Sequence, residues 1–99
     1  MSAINPRVAF AVPMFLEALA LIELGQPQPA EVLEHPKMMA TTMLTLLSHG
    51  DDAILDLGDL ALASLARAAI ALCDAPTESG AVATYQHALD AWGEINANP

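Results

Sequence analysis

From Ala53 to Cys73 the chain carries hardly any polar residue. Each residue of an α-helix turns about 100° further round the axis, which gathers Asp56, Asp59 and Arg67 into one narrow stripe, continued by Asp52 and Asp74. Ile54, Leu55, Leu57, Leu60, Leu62, Leu65, Ile70 and Leu72, with alanines between them, fill the rest of the circumference. A helix apolar on most sides has to be covered on several of them. The pattern therefore predicts a central helix over about 52–73, with Leu55, Leu62, Leu65 and Leu72 inaccessible.

The flanking segments are helical too. Asn5-Pro6 is a capping residue followed by a proline, a helix-start signal. The helix it opens is expected to reach about Leu24 and stop at Gly25. Pro13 interrupts it, because proline has no N–H for the carbonyl of Ala9 and clashes with it; the result is a kink, or a turn ending near Val12 and a new start at Pro13. Gln26-Pro27-Gln28-Pro29 is an extended linker. Ala30 to Glu34 can make one helical turn, after which Pro36 is expected to open a helix closing at His49-Gly50. On that helix Met39, Ala40, Met43, Leu44, Leu46 and Leu47 share one face, and Thr41, Thr45 and Ser48 form an uncharged stripe opposite.

Asp51 and Asp52 are placed to cap the central helix and to oppose its dipole. Beyond Asp74-Ala75-Pro76, Thr77 is the expected cap of a last helix. There Val82, Tyr85, Leu89 and Trp92 make a narrow apolar stripe, with Gln86, His87, Asp90 and Glu94 roughly opposite. This ordinary amphipathic pattern belongs at the periphery. Apolar runs rich in Ala, Leu and Met, and poor in β-branched residues, give no convincing strand. The fold class expected is all-α: a compact bundle of four principal helices plus a short helical turn, forming a single helical domain over 1–99.

Composition sharpens this picture. The chain is 55% hydrophobic and 15% charged over 99 residues, a thin polar coat where surface is large relative to volume. Apolar area left over in the monomer makes a homo-oligomer, such as a homodimer, the expected state. Twelve Asp and Glu against three Lys and Arg give a net charge of −9. That field repels phosphate backbones, so direct binding to nucleic acid is not expected, and it favours fast encounter with a basic partner. Asp56, Asp59 and Arg67 make the central helix too costly to place in a membrane. The apolar run Val8–Leu16 loosely imitates a signal peptide, but Pro13 and Glu17 spoil it, and a retained first helix is the better reading. One cysteine, Cys73, allows no internal disulfide and suits a reducing cytoplasmic setting.

Candidate chemistry is sparse. A nucleophilic thiol needs a cationic neighbour or a helix N-terminus; Cys73 sits at a helix C-terminus beside Asp74, where a small buried hydrophobe is the simpler role. His87, Asp90 and Glu94 share a helix face with metal-ligand spacing but lack a second ligand-rich helix, so a solvated polar face is favoured. His49 with Asp51 and Asp52 is better explained by two adjacent helix ends. His35-Pro36 is a cap signal, and the glycines form no phosphate-cradling run. No enzyme activity, metal or cofactor is expected.

Two surfaces remain as candidates for binding a protein partner. One is the acidic cluster Asp51, Asp52, Asp56 and Asp59, which could meet a basic patch; capping plus one solvated stripe is its simpler explanation. The other is the Met38, Met39 and Met43 region, with Met14, because methionine adapts to irregular partner surfaces as well as filling cores. The expected function is a small acidic, non-enzymatic protein-interaction module, a regulator or inhibitor occupying a basic surface of a larger protein machine. The alternative is a chaperone-like or adaptor bundle holding an apolar client segment.

Overall fold

The structure is a computed structural model and describes residues 8–48 and 57–97. Four helices follow one another: α1 (Val12–Ala20), α2 (Ala30–Ser48), α3 (Leu57–Asp74) and α4 (Ser79–Ala97). Among the described residues there is no strand. Helix α3 packs against both α2 and α4, while the main contact of α1 is with α2. The Cα radius of gyration, 13.1 Å, is that of a tightly folded chain of this length, about 13 Å.

The centrality of α3 follows from its composition. Leu62, Leu65, Ala66, Ala69 and Leu72 are all but fully enclosed, and Ala61, Ala63, Ala68 and Cys73 are buried with them. Leu62, Leu65 and Leu72 thus lie where the pattern put them; Leu55 and the start of the expected helix before Leu57 lie outside the described residues. The alanines let α2 and α4 approach closely, since a methyl group keeps the backbones no further apart than a small contact requires. The solvent-facing row is Leu60, Ser64, Arg67, Ala71 and Asp74, at helical spacings of three and four.

Asp59 departs from its expected place on the solvated stripe. It is buried at 8% exposure, while Leu60 beside it is 49% exposed. Asp59 is about 80° round the axis from Arg67 and lies on the row of Ala63, Ala66 and Cys73, all buried. A position in the first turn of α3 also sets its carboxylate against the positive end of the helix dipole.

Proline positions were only half legible. At Pro13 the second expectation holds: Val8–Ala11 forms a turn closed by the Ala11 N–H on the Val8 carbonyl (2.9 Å), and α1 begins at Val12 with the proline in its first positions. Asn5 and Pro6 lie outside the described residues. The helix ends at Ala20 instead of Leu24, its last carbonyls taken by the Leu21 and Ile22 N–H groups on Ala18 and Leu19. Gly25 turns the chain at φ 77°, and the Gln28 side-chain amide donates to the carbonyls of Glu23 (3.2 Å) and Gln26 (3.3 Å). Pro36, by contrast, does not open α2. It lies inside a continuous helix, so the expected separate turn at Ala30–Glu34 is the first part of α2. Pro36 is completely buried, with Val32 and Leu33 packed on the core one turn earlier. Burial of that ring and those side chains offsets much of the cost of a helix-interior proline.

Helix α4 matches its pattern, with Tyr85, Ala88 and Trp92 buried and Gln86, His87, Asp90 and Glu94 exposed. Its flanking residue is Glu78, whose carbonyl accepts the Val82 N–H (3.0 Å), one position beyond the expected Thr77. Residues of all four helices join one hydrophobic core.

Candidate functional site

The expected partner surfaces are separated by the fold. Asp51, Asp52 and Asp56 lie outside the described residues, and Asp59 is buried, which takes it out of reach of a docking protein. Of the methionines, Met38 is 62% exposed, Met39 is half-buried and Met43 is fully enclosed. Five positions of helix separate Met38 from Met43, about 140° round the axis, so one faces solvent and the other the core. Met43 is core filling, not surface.

Met38 belongs instead to a surface made jointly by α1 and α2. The outward row of α1 carries Met14 (52% exposed) and Glu17, with Phe10 (68%) in the turn before the helix and Leu21 (72%) just after it, while Val12, Phe15, Ala18 and Leu19 turn inward. A shallow depression of about 450 Å³ lies between Met14, Glu17, Ala18 and Leu21 on one side and His35 of α2 on the other. A second, of about 670 Å³, follows α2 along Glu31, Glu34, His35, Met38, Thr41 and Thr42. His35 borders both, so they adjoin.

The threonines make the second depression less polar than their names suggest. The Thr41 hydroxyl donates to the Lys37 carbonyl (2.9 Å), Thr42 to that of Met38 (3.0 Å) and Thr45 to that of Thr41 (3.0 Å). Their hydroxyl protons are spent on their own helix. Lys37, which also borders this depression, is tied to Asp74 at the end of α3, Nζ to Oδ1 at 2.5 Å. Among the described residues the charges left to face a ligand are the carboxylates of Glu17, Glu31 and Glu34.

No family model, curated protein or solved structure matches this chain.

Elsewhere the described residues offer little chemistry. His87, Asp90 and Glu94 are exposed on α4, and no group of three or more His, Cys, Asp or Glu is placed to hold a metal ion among the described residues. His49, with Asp51 and Asp52, lies outside them. Cys73 is buried, and burial, then the Asp74 charge, pushes its thiol above the usual range, with Lys37 opposing. A protonated, enclosed thiol is a poor nucleophile. Tyr85 is likewise pushed up, by burial first and by Cys73 second. A groove of about 380 Å³ between α3 and α4 exposes Leu60 beside Ser64, Thr84 and His87. Among the described residues no helix is long and apolar enough to cross a membrane.

Sequence reasoning singled out Met14 and Met38 but not their joint surface with Leu21, His35 and the three glutamates. The seven-residue step from Met14 to Leu21 places both on one helix face, as do the steps Glu31, Glu34, Met38. Which two helices sit side by side is not contained in either spacing.

Proposed function

We propose that this chain is a small acidic protein-interaction module, a regulator or inhibitor that works by occupying a basic surface of a larger protein. The observation supporting this reading is the adjoining α1–α2 surface, where Met14, Leu21 and Met38 stand exposed beside Glu17, Glu31 and Glu34. Large hydrophobics left in solvent on a small domain mark a contact site when they cluster. A net charge of −9 speeds encounter with a basic partner and weakens as salt is added, and it disfavours nucleic acid as the direct target. Cytoplasmic residence accords with the lone, disulfide-free Cys73.

The holder of an apolar client segment is the second reading, supported by the same exposed methionines. Self-association is compatible with both, since Phe10 and Leu60 are also exposed. The deciding experiment is capture of partners from the native cell, identification by mass spectrometry, and binding of the purified pair over a range of ionic strength. A regulator of basic surfaces loses affinity steeply with salt; an apolar holder hardly changes. Turnover of a substrate that depends on Cys73 or His87 would overturn the interaction-module reading itself.

A further inference from the structure

The α1–α2 surface has a shape and charge that narrow the partner. We propose that it seats a basic amphipathic helix of another protein, its apolar stripe meeting Met14, Leu21 and Met38 and its Lys or Arg side chains reaching Glu17, Glu31 and Glu34. This rests on the interaction-module reading and specifies the occupant of its surface.

From Glu31 to Thr42 the depression along α2 extends for about 16 Å at 1.5 Å per residue. That is about three turns, the length over which an amphipathic helix presents anchors at i, i+3 or i+4, and i+7. Methionine side chains, flexible and polarizable, mould to such anchors. The self-bonded Thr41 and Thr42 hydroxyls reduce the desolvation cost along the floor. Three carboxylates line the two depressions, and among the described residues the ammonium beside them, that of Lys37, is committed to Asp74. A cationic helix lying over the two depressions meets negative charge on the α1 side from Glu17 and on the α2 side from Glu31 and Glu34.

The same charges argue against other occupants. A second copy docking by this face would set Glu17, Glu31 and Glu34 against their own equivalents in a twofold contact, with −9 on each chain. Nucleic acid and anionic lipid surfaces are repelled in the same way.

The test uses the full chain and three synthetic peptides about four turns long: a Leu/Lys amphipathic helix, its Leu/Glu twin, and a Leu/Lys peptide of scrambled pattern. Binding is followed by fluorescence anisotropy, and the site by NMR of labelled methionine methyl groups. The Leu/Lys helix should bind best, shift the Met14 and Met38 signals, and weaken as salt rises. Leu21→Ser with Met38→Ser, and separately Glu31→Lys with Glu34→Lys, should each lower affinity at least about tenfold, with circular dichroism unchanged. Leu60→Ser, on the far groove, should leave affinity as it was. The proposal is overturned if the scrambled or acidic peptide binds as well, or if Leu60→Ser weakens binding as much. It is also overturned by a dimer that Met38→Ser dissociates and that salt strengthens; then a second copy covers this face and the interaction reading survives with a different occupant.

Discussion

Lys37, one residue past the buried proline of α2, holds the last residue of α3 through an ion pair, Nζ to Asp74 Oδ1 at 2.5 Å. Both side chains are about half exposed, so the pair ties the end of α3 to the interior of α2 without carrying the fold. Asp74 raises the pKa of Lys37, first as its hydrogen-bond acceptor and then as a charge.

Alkaline conditions should loosen the fold. Lys37, Cys73 and Tyr85 all hold their protons more firmly when folded, so the folded state binds more protons than the unfolded one as pH rises. Their contribution is complete below the unfolded values and fades as pH climbs through the folded ones, a window opening near the ordinary thiol value of 9.0 and running past the ordinary lysine value of 10.5. Urea unfolding should show constant stability from neutrality to about pH 8 and a decline above it. In Cys73→Ala the first part of that decline should flatten; stability rising through this window would contradict the assignment.

Truncation of Leu62, Leu65 or Leu72 to alanine should cost about 2–5 kcal/mol each, a large share of the stability of a domain. Denaturant midpoints at unchanged slope give the value. A loss below about 1 kcal/mol at all three would remove α3 from the centre.

Two glycines should respond in opposite senses. Gly93 lies within α4, and an added Cβ there would meet nothing within 4 Å, so Gly93→Ala should stabilise by about 0.5–1 kcal/mol through helix propensity. Gly25 also has open space but sits at φ 77°, where any side chain strains the backbone; Gly25→Ala should destabilise by about 1 kcal/mol. Thermal unfolding of the pair checks both signs.

Pro36→Ala should be neutral to mildly stabilising, by up to about 1 kcal/mol. It relieves a helix-interior proline worth about 3 kcal/mol, loses two buried ring methylenes worth about 0.8 kcal/mol each, and releases some unfolded-chain entropy, about 0.4–1 kcal/mol. A loss above about 2 kcal/mol would show the ring to be an essential core element.

What the sequence disclosed depended on how local the cause was. The burial of Leu62, Leu65 and Leu72, the stripe of α4 and the enclosure of Cys73 follow from composition round one axis, and all were legible. The interior position of Pro36 was not, because proline at that site is tolerated only through burial against other helices. Asp59 was misplaced for a similar reason: its angle from Arg67 put it at the edge of the stripe, and the packing of neighbours decided which side of that edge was covered. Proximity along the chain suggests one region for Met38 and Met43, although five helical steps set them about 140° apart. The α1–α2 surface needed knowledge of which helices are adjacent, which no spacing supplies.

The pairing order of the helices has a kinetic meaning. Helices α2, α3 and α4 engage neighbours adjacent in sequence, with α3 between the other two, so this part can assemble through short loop closures and should fold quickly. Helix α1 is short and leans mainly on α2, which makes it the first element to detach in partial opening. Its amides should exchange with solvent sooner than those of α3. Each such opening would uncover Phe15 and Leu19 together with the interior side of α2, so among the described helices the one bearing Met14 should be the first to be lost and regained.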